Sequence, residues 1–458
     1  MIDLILRLRK YNHDIHLLLY RIIIKILPSF CIKLIYFLLP YSRFAILYLL
    51  IHLKRFSLFS NLFRSDKFFC YSRFRLSSSY EDTIPHSLTE FSAWSKYCIK
   101  NKFLKVPRSS LNCLYLYRIY SLLGLFEVAH FFRLSALERE LTSSLSMYHL
   151  VPQRLVPALI EFSLHTSSDL SHFAESFDFS ISNSLLKYIR KFKSQLSPSS
   201  ILQDLCLASD NYMSSYYRSY SQNSYINWSN KRFNASDYNL TKSLFIGPSV
   251  RQTDDIGLDD FDYYVRVGYD KSNRENLQFP ELDTSITLFK EFRFYGKSDD
   301  ELNTLLPAKQ LNFVSFLSHD FLNKICSFDT YCFSLFAGPI IFGNEEFNGG
   351  VELMLNILNS NCHNLHVINT DFFLNKIYPA GYTMNYHTRK SKQGIHLDDL
   401  TTCRAISLNH NQSFQFNLLK YFSQNGCLTF DSYLDSIVKR GLVKYLVSLE
   451  NTYNTGLL

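Results

Sequence analysis

A glycine–proline–serine turn follows the short apolar run Leu244–Ile246. Gly247 permits backbone torsions that a side chain would forbid, and it lets a ligand approach the main chain. Ser249 offers a hydroxyl and an amide at a turn where a phosphate group can sit. Such a turn on its own more often has no ligand, so other segments must decide between an anion site and a plain turn.

Gly349 and Gly350 stand directly before the apolar run Val351–Leu358 and suit the start of a helix, with a plain loop as the alternative. The adjacent aspartates at 254–255, 259–260 and 299–300 are typical of solvated turns, so we expect no metal site. The ten cysteines include no Cys-x-x-Cys pair, which argues against a zinc ribbon or finger. In a chain of 458 residues, reduced cysteines are expected rather than a disulfide framework.

The second half of the chain has the pattern of an α/β fold. Short apolar runs at 244–246, 263–267, 285–288, 311–315 and 365–368 alternate with helical stretches. This alternation predicts a mainly parallel sheet. Because such sheets bind ligands at the carboxyl ends of their strands, the turn at Gly247 stands at the expected edge.

The first half of the chain is predicted to be helical. Apolar residues recur at three-four spacing from Leu116 to Ala136 and again from Leu185 to Leu196. We therefore expect a module of helical hairpins over residues 110–200, preceded by a connector at 57–109. The Ser-, Asn- and Tyr-rich segment Asp210–Tyr238 predicts a linker at 201–240, ahead of an α/β domain at 241–458. The sequons that begin at asparagines 227, 234 and 239 are expected by chance in such a segment.

The first 56 residues are hydrophobic and basic. Residues 1–55 contain nine Lys and Arg and two Asp, a net charge of +7 out of +8 for the whole chain. Charges recur too often for a signal peptide, and Pro40 and Arg43 interrupt the best spanning segment, 34–53. We expect helices that associate with the membrane surface at its cytoplasmic face. A single spanning anchor in a Golgi membrane and a basic helical cap on the protein are the alternatives.

The segment Leu244–Val267 resembles the first sialylmotif of the sialyltransferases, in both the eukaryotic-type family and its bacterial relatives. In that family a strand and a glycine-containing turn lead to a strand with the pattern I-D-x-F-D-x-V-V-R-x-N, which cradles CMP. Gly268 takes the place of the family's Asn. The residues that match the pattern are Asp259, Phe261, Asp262, Val265 and Arg266.

A second segment is similar to the second sialylmotif, in which a glycine-bearing turn opens a helix that leads to a strand. Here Phe347–Leu358 supplies the turn and helix, and His366–Phe372 supplies the strand. Gly349 and Gly350 suit a helix start that approaches the nucleotide closely. Thr370 stands where the family has a glycine, and Ser285 where it has an aspartate after the first motif.

His410 precedes the last helical region, where the family carries the histidine that takes the proton from the acceptor hydroxyl. An imidazole suits this task because its ordinary pKa of about 6.5 is close to working pH. His319, His387 and His396 are rivals for the role. Asp431 is expected to be the N-cap of a final amphipathic helix.

The resemblance covers about Lys242–Tyr453. It implies a Rossmann-like fold of the GT-A-variant type and the inverting transfer of sialic acid, or a related acid sugar, from a CMP donor to a glycan or glycolipid. It implies no cofactor and no metal, and His410 would be the general base. The residues expected at the nucleotide are Gly247, Pro248, Ser249, Arg251, Gly268, Asn348, Gly349 and Gly350.

Two other functions fit the sequence. The departures at Gly268, Ser285 and Thr370 favour a noncatalytic scaffold, in which a helical module is joined to a degenerate nucleotide-binding fold. A glycosyltransferase that uses another nucleotide sugar is the second alternative. Nucleic acid is not an expected partner, because the residues after 55 carry a net charge of only +1.

Overall fold

A computed structural model describes residues 95–453, without 96, 101–105, 239, 250–259, 269–278, 280, 291–299, 303–305, 307–309, 316–321, 323–329, 361, 363, 375–376, 379–387, 392–393 and 398–409. The basic N-terminal segment, most of the connector, Arg251, His319 and His387 lie outside the described residues. In the described part, no helix is both long enough and apolar enough to cross a membrane.

The described chain begins with helices, as the apolar spacing predicts. Leu116, Phe132 and Ala136 of the first periodic stretch are fully buried. Pro198 ends one helical stretch and opens the next helix, where a missing amide hydrogen costs nothing. These helices are α1 (Ser110–Leu122), α2 (Phe126–Tyr148), α3 (Val156–Ser163), α4 (Ser167–Phe177), α5 (Asn183–Lys193), α6 (Pro198–Tyr220) and α7 (Gln222–Asn230).

The chain divides into two compact units, and the boundary is not the one expected at residue 200. The described part of the first unit contains residues up to Glu140, Thr166–Ile181 and the chain from Leu449. The second contains Leu141–His165 and Ser182–Ser448. The expected module at 110–200 is thus split. The reason is packing: α4 stacks on α2 inside the first unit, while α3 packs inside the second.

The predicted linker at 201–240 is wrong for most of its length, because residues up to Asn230 form α6 and α7. The serines act at the helix ends, where Ser197 and Ser221 are N-caps. Tyr217 and Trp228 stack on each other in the hydrophobic core. Tyr212, Tyr216 and Tyr220, four residues apart, also form ring contacts along α6. This aromatic spacing builds a packed helix within a composition that resembles a loop.

The predicted Rossmann-like sheet is confirmed. Seven parallel strands lie in the order β10-β6-β1-β2-β3-β4-β5, so the strand order reverses between β1 and β6. Ligands of doubly wound folds bind at such a switch point. The strands are β1 (Lys242–Ile246), β2 (Tyr263–Val267), β3 (Ile286–Phe289), β4 (Leu311–Val314), β5 (Tyr331–Phe333), β6 (Asn364–Ile368) and β10 (Leu428–Phe430).

The remaining strands form a small antiparallel sheet in the order β7-β9-β8. It contains β7 (Ile377–Tyr378), β8 (Thr388–Ser391) and β9 (Gly394–Leu397), and the sequence patterns do not predict it.

The α-helices that follow in the described part of the chain are α8 (Gly349–Asn359), α9 (Gln412–Gln424), α10 (Ser432–Arg440) and α11 (Leu442–Tyr453). Asp431 caps α10, as predicted: its Oδ1 accepts from the Leu434 amide at 2.7 Å. The single final helix that was expected is interrupted at Gly441, where φ is +86°.

Helices α8 and α9 position the edge of the sheet that matters for ligands. Helix α8 leads into β6 and α9 leads into β10, so each begins at the edge where the parallel strands end. A Cβ atom added to Gly349 would lie 2.9 Å from Val267 Cγ1 and 3.6 Å from Leu288 Cδ2, near the ends of β2 and β3. The glycine therefore lets the first turn of α8 pack directly against these strand ends.

Candidate functional site

The turn after β1 is joined tightly to the end of β6. The amide of Gly247 donates to the Ile368 carbonyl, and that of Ser249 donates to the Asn369 carbonyl, both at 2.8 Å. The Ser249 hydroxyl, which is buried, donates to Asp371 Oδ2 at 3.1 Å. Pro248 has no amide hydrogen.

This geometry corrects the expected role of the turn. The donors that a phosphate would use are spent within the protein. A Cβ atom at Gly247 would overlap the Asn369 carbonyl oxygen and Thr370 Oγ1. Gly247 is thus required because two chain segments approach each other there, and that requirement is independent of any ligand.

The start of α8 offers a different set of groups. Asn348 caps the helix through its Oδ1, which accepts from the Val351 amide at 2.9 Å. Gly349 and Gly350 supply the first amides of the helix, where the macrodipole is positive. Gln412 Oε1 accepts from Asn348 Nδ2 at 3.2 Å, while its Nε2 is buried and has no hydrogen-bond partner among the described residues. A buried amide donor with no partner is the kind of group that a ligand satisfies.

His410 stands immediately before α9 and is bound to the start of α8. Gln415 connects the two, since its Nε2 donates to the His410 carbonyl at 2.6 Å and its Oε1 accepts from the Asn348 amide at 3.0 Å. His410 Nδ1 lies 3.3 Å from the Glu346 carbonyl oxygen. A carbonyl only accepts, so Nδ1 carries the proton and Nε2 presents its lone pair. This is the tautomer that a general base at Nε2 requires.

The imidazole of His410 is neutral over most of the pH range. Burial, followed by the positive charge of Lys290, lowers the pKa of His410 to about 4, and the bond to the Glu346 carbonyl opposes this only in part. The ring is therefore in the form that accepts a proton at physiological pH, but its lowered pKa makes it a weaker base than a free imidazole.

A buried ionic cluster, which the sequence patterns did not reveal, lies beside this histidine. Lys290, just after β3, is 2.5 Å from Glu352 Oε2 and 3.8 Å from Glu346 Oε2. Its Nζ also donates to Ser315 Oγ at 2.9 Å, and Ser315 donates to Glu352 at 3.0 Å. Burial lowers the pKa of Lys290, but Glu352 and Glu346 outweigh it, so the pKa lies above its ordinary value and the ammonium stays charged.

Two other expected residues have clear positions. Gly268 follows β2 with φ of +62°, a conformation that glycine adopts without strain. Arg266 is buried and donates to the Phe279 and Leu282 carbonyls and to Thr284 Oγ1, which makes it a support of the chain before β3. His396 lies on β9.

A further acidic motif, which the sequence analysis does not name, lies just before β2. Asp260 and Asp262 have the Asp-x-Asp spacing, but they precede β2, and the Asp262 amide donates to the Lys242 carbonyl at the start of β1. Both aspartates therefore lie where the parallel strands begin, at the edge of the sheet opposite to the start of α8. Among the described residues, no group of three His, Cys, Asp or Glu side chains is placed to hold a metal ion.

Comparison with known proteins gives no match: no protein-family profile, no curated protein and no solved structure is significantly similar to this chain. The resemblance to sialyltransferases therefore stays a prediction from the sequence motifs alone.

Proposed function

We propose that this chain is a glycosyltransferase that moves sialic acid, or a related acid sugar, from a CMP donor to a glycan or glycolipid acceptor, with inversion. The observation that carries the proposal is the position of His410. A neutral imidazole, whose Nε2 has no hydrogen bond to the described residues, is tied through Gln415 to the start of α8, at the edge where doubly wound sheets bind ligands.

The donor would bind at the start of α8. The amides of Gly349 and Gly350 would hold its phosphate, where the helix dipole favours negative charge. The buried Gln412 Nε2 would donate to an oxygen of the donor or the acceptor. In this proposal the turn at Gly247 to Ser249 shapes the floor of the site and does not cradle the phosphate.

His410 would act on the acceptor. Its Nε2 would take the proton from the acceptor hydroxyl as the oxygen attacks the anomeric carbon, while the bond between that carbon and the CMP phosphate breaks. Attack from the face opposite to the departing CMP inverts the configuration. The basic first 56 residues would hold the enzyme at a membrane surface close to glycolipid acceptors.

Release of CMP from CMP-sialic acid without acceptor tests the proposal. The full-length protein is compared with His410→Gln, which keeps a polar side chain but removes the base. We expect CMP release by the wild type and at least a hundredfold slower release by the variant, as is usual for loss of a general base. His149→Asn is the control, because His149 is exposed and its positive φ suits Asn.

The alternatives give different results in the same assay. Thermal stabilisation by CMP without release of CMP from the donor would favour the noncatalytic scaffold. Release from a different nucleotide sugar would favour another glycosyltransferase. If the wild type neither releases CMP from the donor nor is stabilised by CMP, the donor assignment is rejected.

A further inference from the structure

The second unit carries an exposed group of apolar side chains where α2 ends. Met147 and Tyr148 are 67% and 52% exposed, and Leu150 in the following turn is 57% exposed. Apolar side chains this exposed usually stand singly on the surface of a soluble protein, whereas these three lie next to one another in the chain. We call Met147–Leu150 the apolar tip, and its exposure makes it a candidate contact surface.

Helix α5 presents positive charge to the solvent. Leu185 and Ile189 bury one face of the helix, and Lys187, Arg190 and Lys191 are exposed on the opposite face, where their three-four spacing makes them neighbours. Within the described part of the chain, none of these three cations is in an ion pair. Their charge is therefore available to a partner.

The apolar tip and α5 are neighbours in the folded chain. Thr142 Oγ1, near the end of α2, lies 2.8 Å from Ser182 Oγ, directly before α5. The tip begins five residues after Thr142, which is about 8 Å further along the helix. Helix α5 also packs on α3, which follows the tip along the chain. The basic helix therefore begins close to the apolar tip.

Acidic side chains do not offset the cations in this part of the chain. Residues 141–165 and 182–203 contain five Lys and Arg but one acid, Glu161. Glu161 is buried and accepts from Asn411 Nδ2 at 2.7 Å, so its carboxylate does not reach the surface. An anionic partner is therefore favoured.

An anionic lipid bilayer fits both features. Exposed aliphatic and aromatic side chains enter the headgroup layer of a bilayer, and clustered Lys and Arg are attracted to anionic lipids. A nucleic acid would use the cations but would leave the apolar tip in water.

We propose that the apolar tip and α5 form a docking surface for an anionic lipid bilayer. The tip enters the headgroup layer, while Lys187, Arg190 and Lys191 face the anionic headgroups. This surface is separate from residues 1–56, whose sequence predicts the same partner, and it depends on neither His410 nor a nucleotide sugar. Two contacts with one bilayer hold a protein more tightly than either alone, because the second forms at a high effective concentration.

Amide hydrogen exchange of the full-length protein, followed by mass spectrometry, tests the surface directly. The protein is compared without vesicles, with vesicles of pure phosphatidylcholine, and with vesicles of equal parts phosphatidylcholine and phosphatidylglycerol. We expect exchange in the peptide that covers residues 145–151 to slow with the anionic vesicles and to slow much less with phosphatidylcholine alone. Because this peptide reports on the tip itself, binding through residues 1–56 does not mask the result.

Two matched triple variants test the role of the charge. The variant with Lys187→Gln, Arg190→Gln and Lys191→Gln should bind the anionic vesicles about a hundredfold more weakly in a sedimentation assay, since each cation near such a surface contributes about fivefold. The control variant carries Lys439→Gln, Arg440→Gln and Lys444→Gln. It removes the same charge from exposed positions on α10 and α11 and should weaken binding less than about threefold.

A double variant tests the role of the tip. Met147→Ser with Leu150→Ser changes two exposed side chains, so the fold should be retained. We expect exchange at residues 145–151 to be no slower with anionic vesicles than without them in this variant.

Several outcomes would overturn the inference. One is a wild-type protein that does not bind the anionic vesicles, or that binds them with no slowing at residues 145–151. Another is an equal loss of affinity in the two triple variants. Slowing that appears without vesicles as the protein concentration rises would assign the tip to a second copy of the chain instead. None of these results bears on the release of CMP, so the docking surface and the proposed function can fail separately.

Discussion

Two corners of the same sheet edge differ in how their main-chain amides are used. At the corner between β1 and β6, the amides of Gly247 and Ser249 and the Ser249 hydroxyl all bind groups of the protein, and Thr370 Oγ1 is a buried group there without a hydrogen-bond partner among the described residues. At the corner between α8 and α9, Gln412 Nε2 and Glu352 Oε1 are buried without a hydrogen-bond partner among the described residues. The sequence motif of the first corner points to a ligand site, whereas at the second corner it is the unpaired buried groups that do so.

The difference shows what a glycine can and cannot indicate. Gly247 and Gly349 both allow close approach, but Gly247 admits a neighbouring segment of its own chain, whereas Gly349 stands at a helix start whose first amides have no carbonyl partner within the helix. A ligand site needs donors and acceptors that the fold has not used. The β1–β6 corner is therefore a structural joint, and the α8–α9 corner is the better candidate for binding.

Gly247→Ala should have the largest effect on stability. The added methyl group meets a main-chain carbonyl and Thr370 Oγ1, and the carbonyl cannot move without shifting β6. We expect a loss of about 3 kcal/mol or more in the free energy of unfolding, measured with urea. Gly426→Ala is the control: its φ is +72° but it has open space, so only the strain of about 1–2 kcal/mol applies. Equal losses in the two variants would mean that the β1–β6 joint is not tight.

Asp431→Ala tests the same joint from its other side. Asp431 caps α10 and also accepts from the Asn369 amide at 2.8 Å, so it supports the turn that faces Gly247. Loss of both bonds should cost about 2 kcal/mol. Asp435→Ala removes only an exposed ion pair with Lys439 and should cost less than about 0.5 kcal/mol. If Asp431→Ala loses no more free energy of unfolding than Asp435→Ala, the bonds of Asp431 do not stabilise the β1–β6 joint.

The sequence predicted the framework well where signals are local. Five of the strands and the cap at Asp431 follow from apolar runs and from one side chain at a helix start. The short strands β5 and β10, with three residues each, give too few residues for a pattern. The helix over residues 198–220 was missed because serine, asparagine and tyrosine dominate its composition, although Met213 and Tyr217 occur at helical spacing and are buried.

The candidate site was only half predictable for a related reason. His410 and the glycines of α8 stand in motifs, so a linear reading finds them. Lys290, Ser315 and Glu352 come from three separate segments and meet only because β3, β4 and α8 are neighbours in the folded sheet. Hydrogen bonding at Gly247 depends likewise on β6, which lies more than 100 residues further along the chain.

Gly349→Ala should separate the two corners by function. Its added methyl group meets a valine side chain, which can shift, so we expect a stability loss of only about 1 kcal/mol. Displacement of the first turn of α8 should nevertheless weaken CMP binding about tenfold, measured by isothermal titration calorimetry. Gly350→Ala, which meets its nearest neighbour at 3.2 Å, is the milder companion variant. Unchanged CMP affinity in Gly349→Ala would argue against phosphate binding at this helix start.

The contribution of His410 to the pH dependence of stability is the smallest expected effect. Its pKa is about 4 in the folded protein and about 6.5 in the unfolded chain, so between these values the unfolded chain binds more protons. Stability should therefore fall as the pH decreases from 6.5 towards 4 and should be fully present above 6.5. Between pH 7 and pH 5.5 the contribution of this half-buried residue is about 1 kcal/mol. Urea unfolding of the wild type and of His410→Gln at both pH values isolates it, because Gln does not titrate. If the two proteins lose the same stability on acidification, His410 is not held neutral by its surroundings, and the α8–α9 corner loses the electrostatic feature that distinguishes it from the β1–β6 joint.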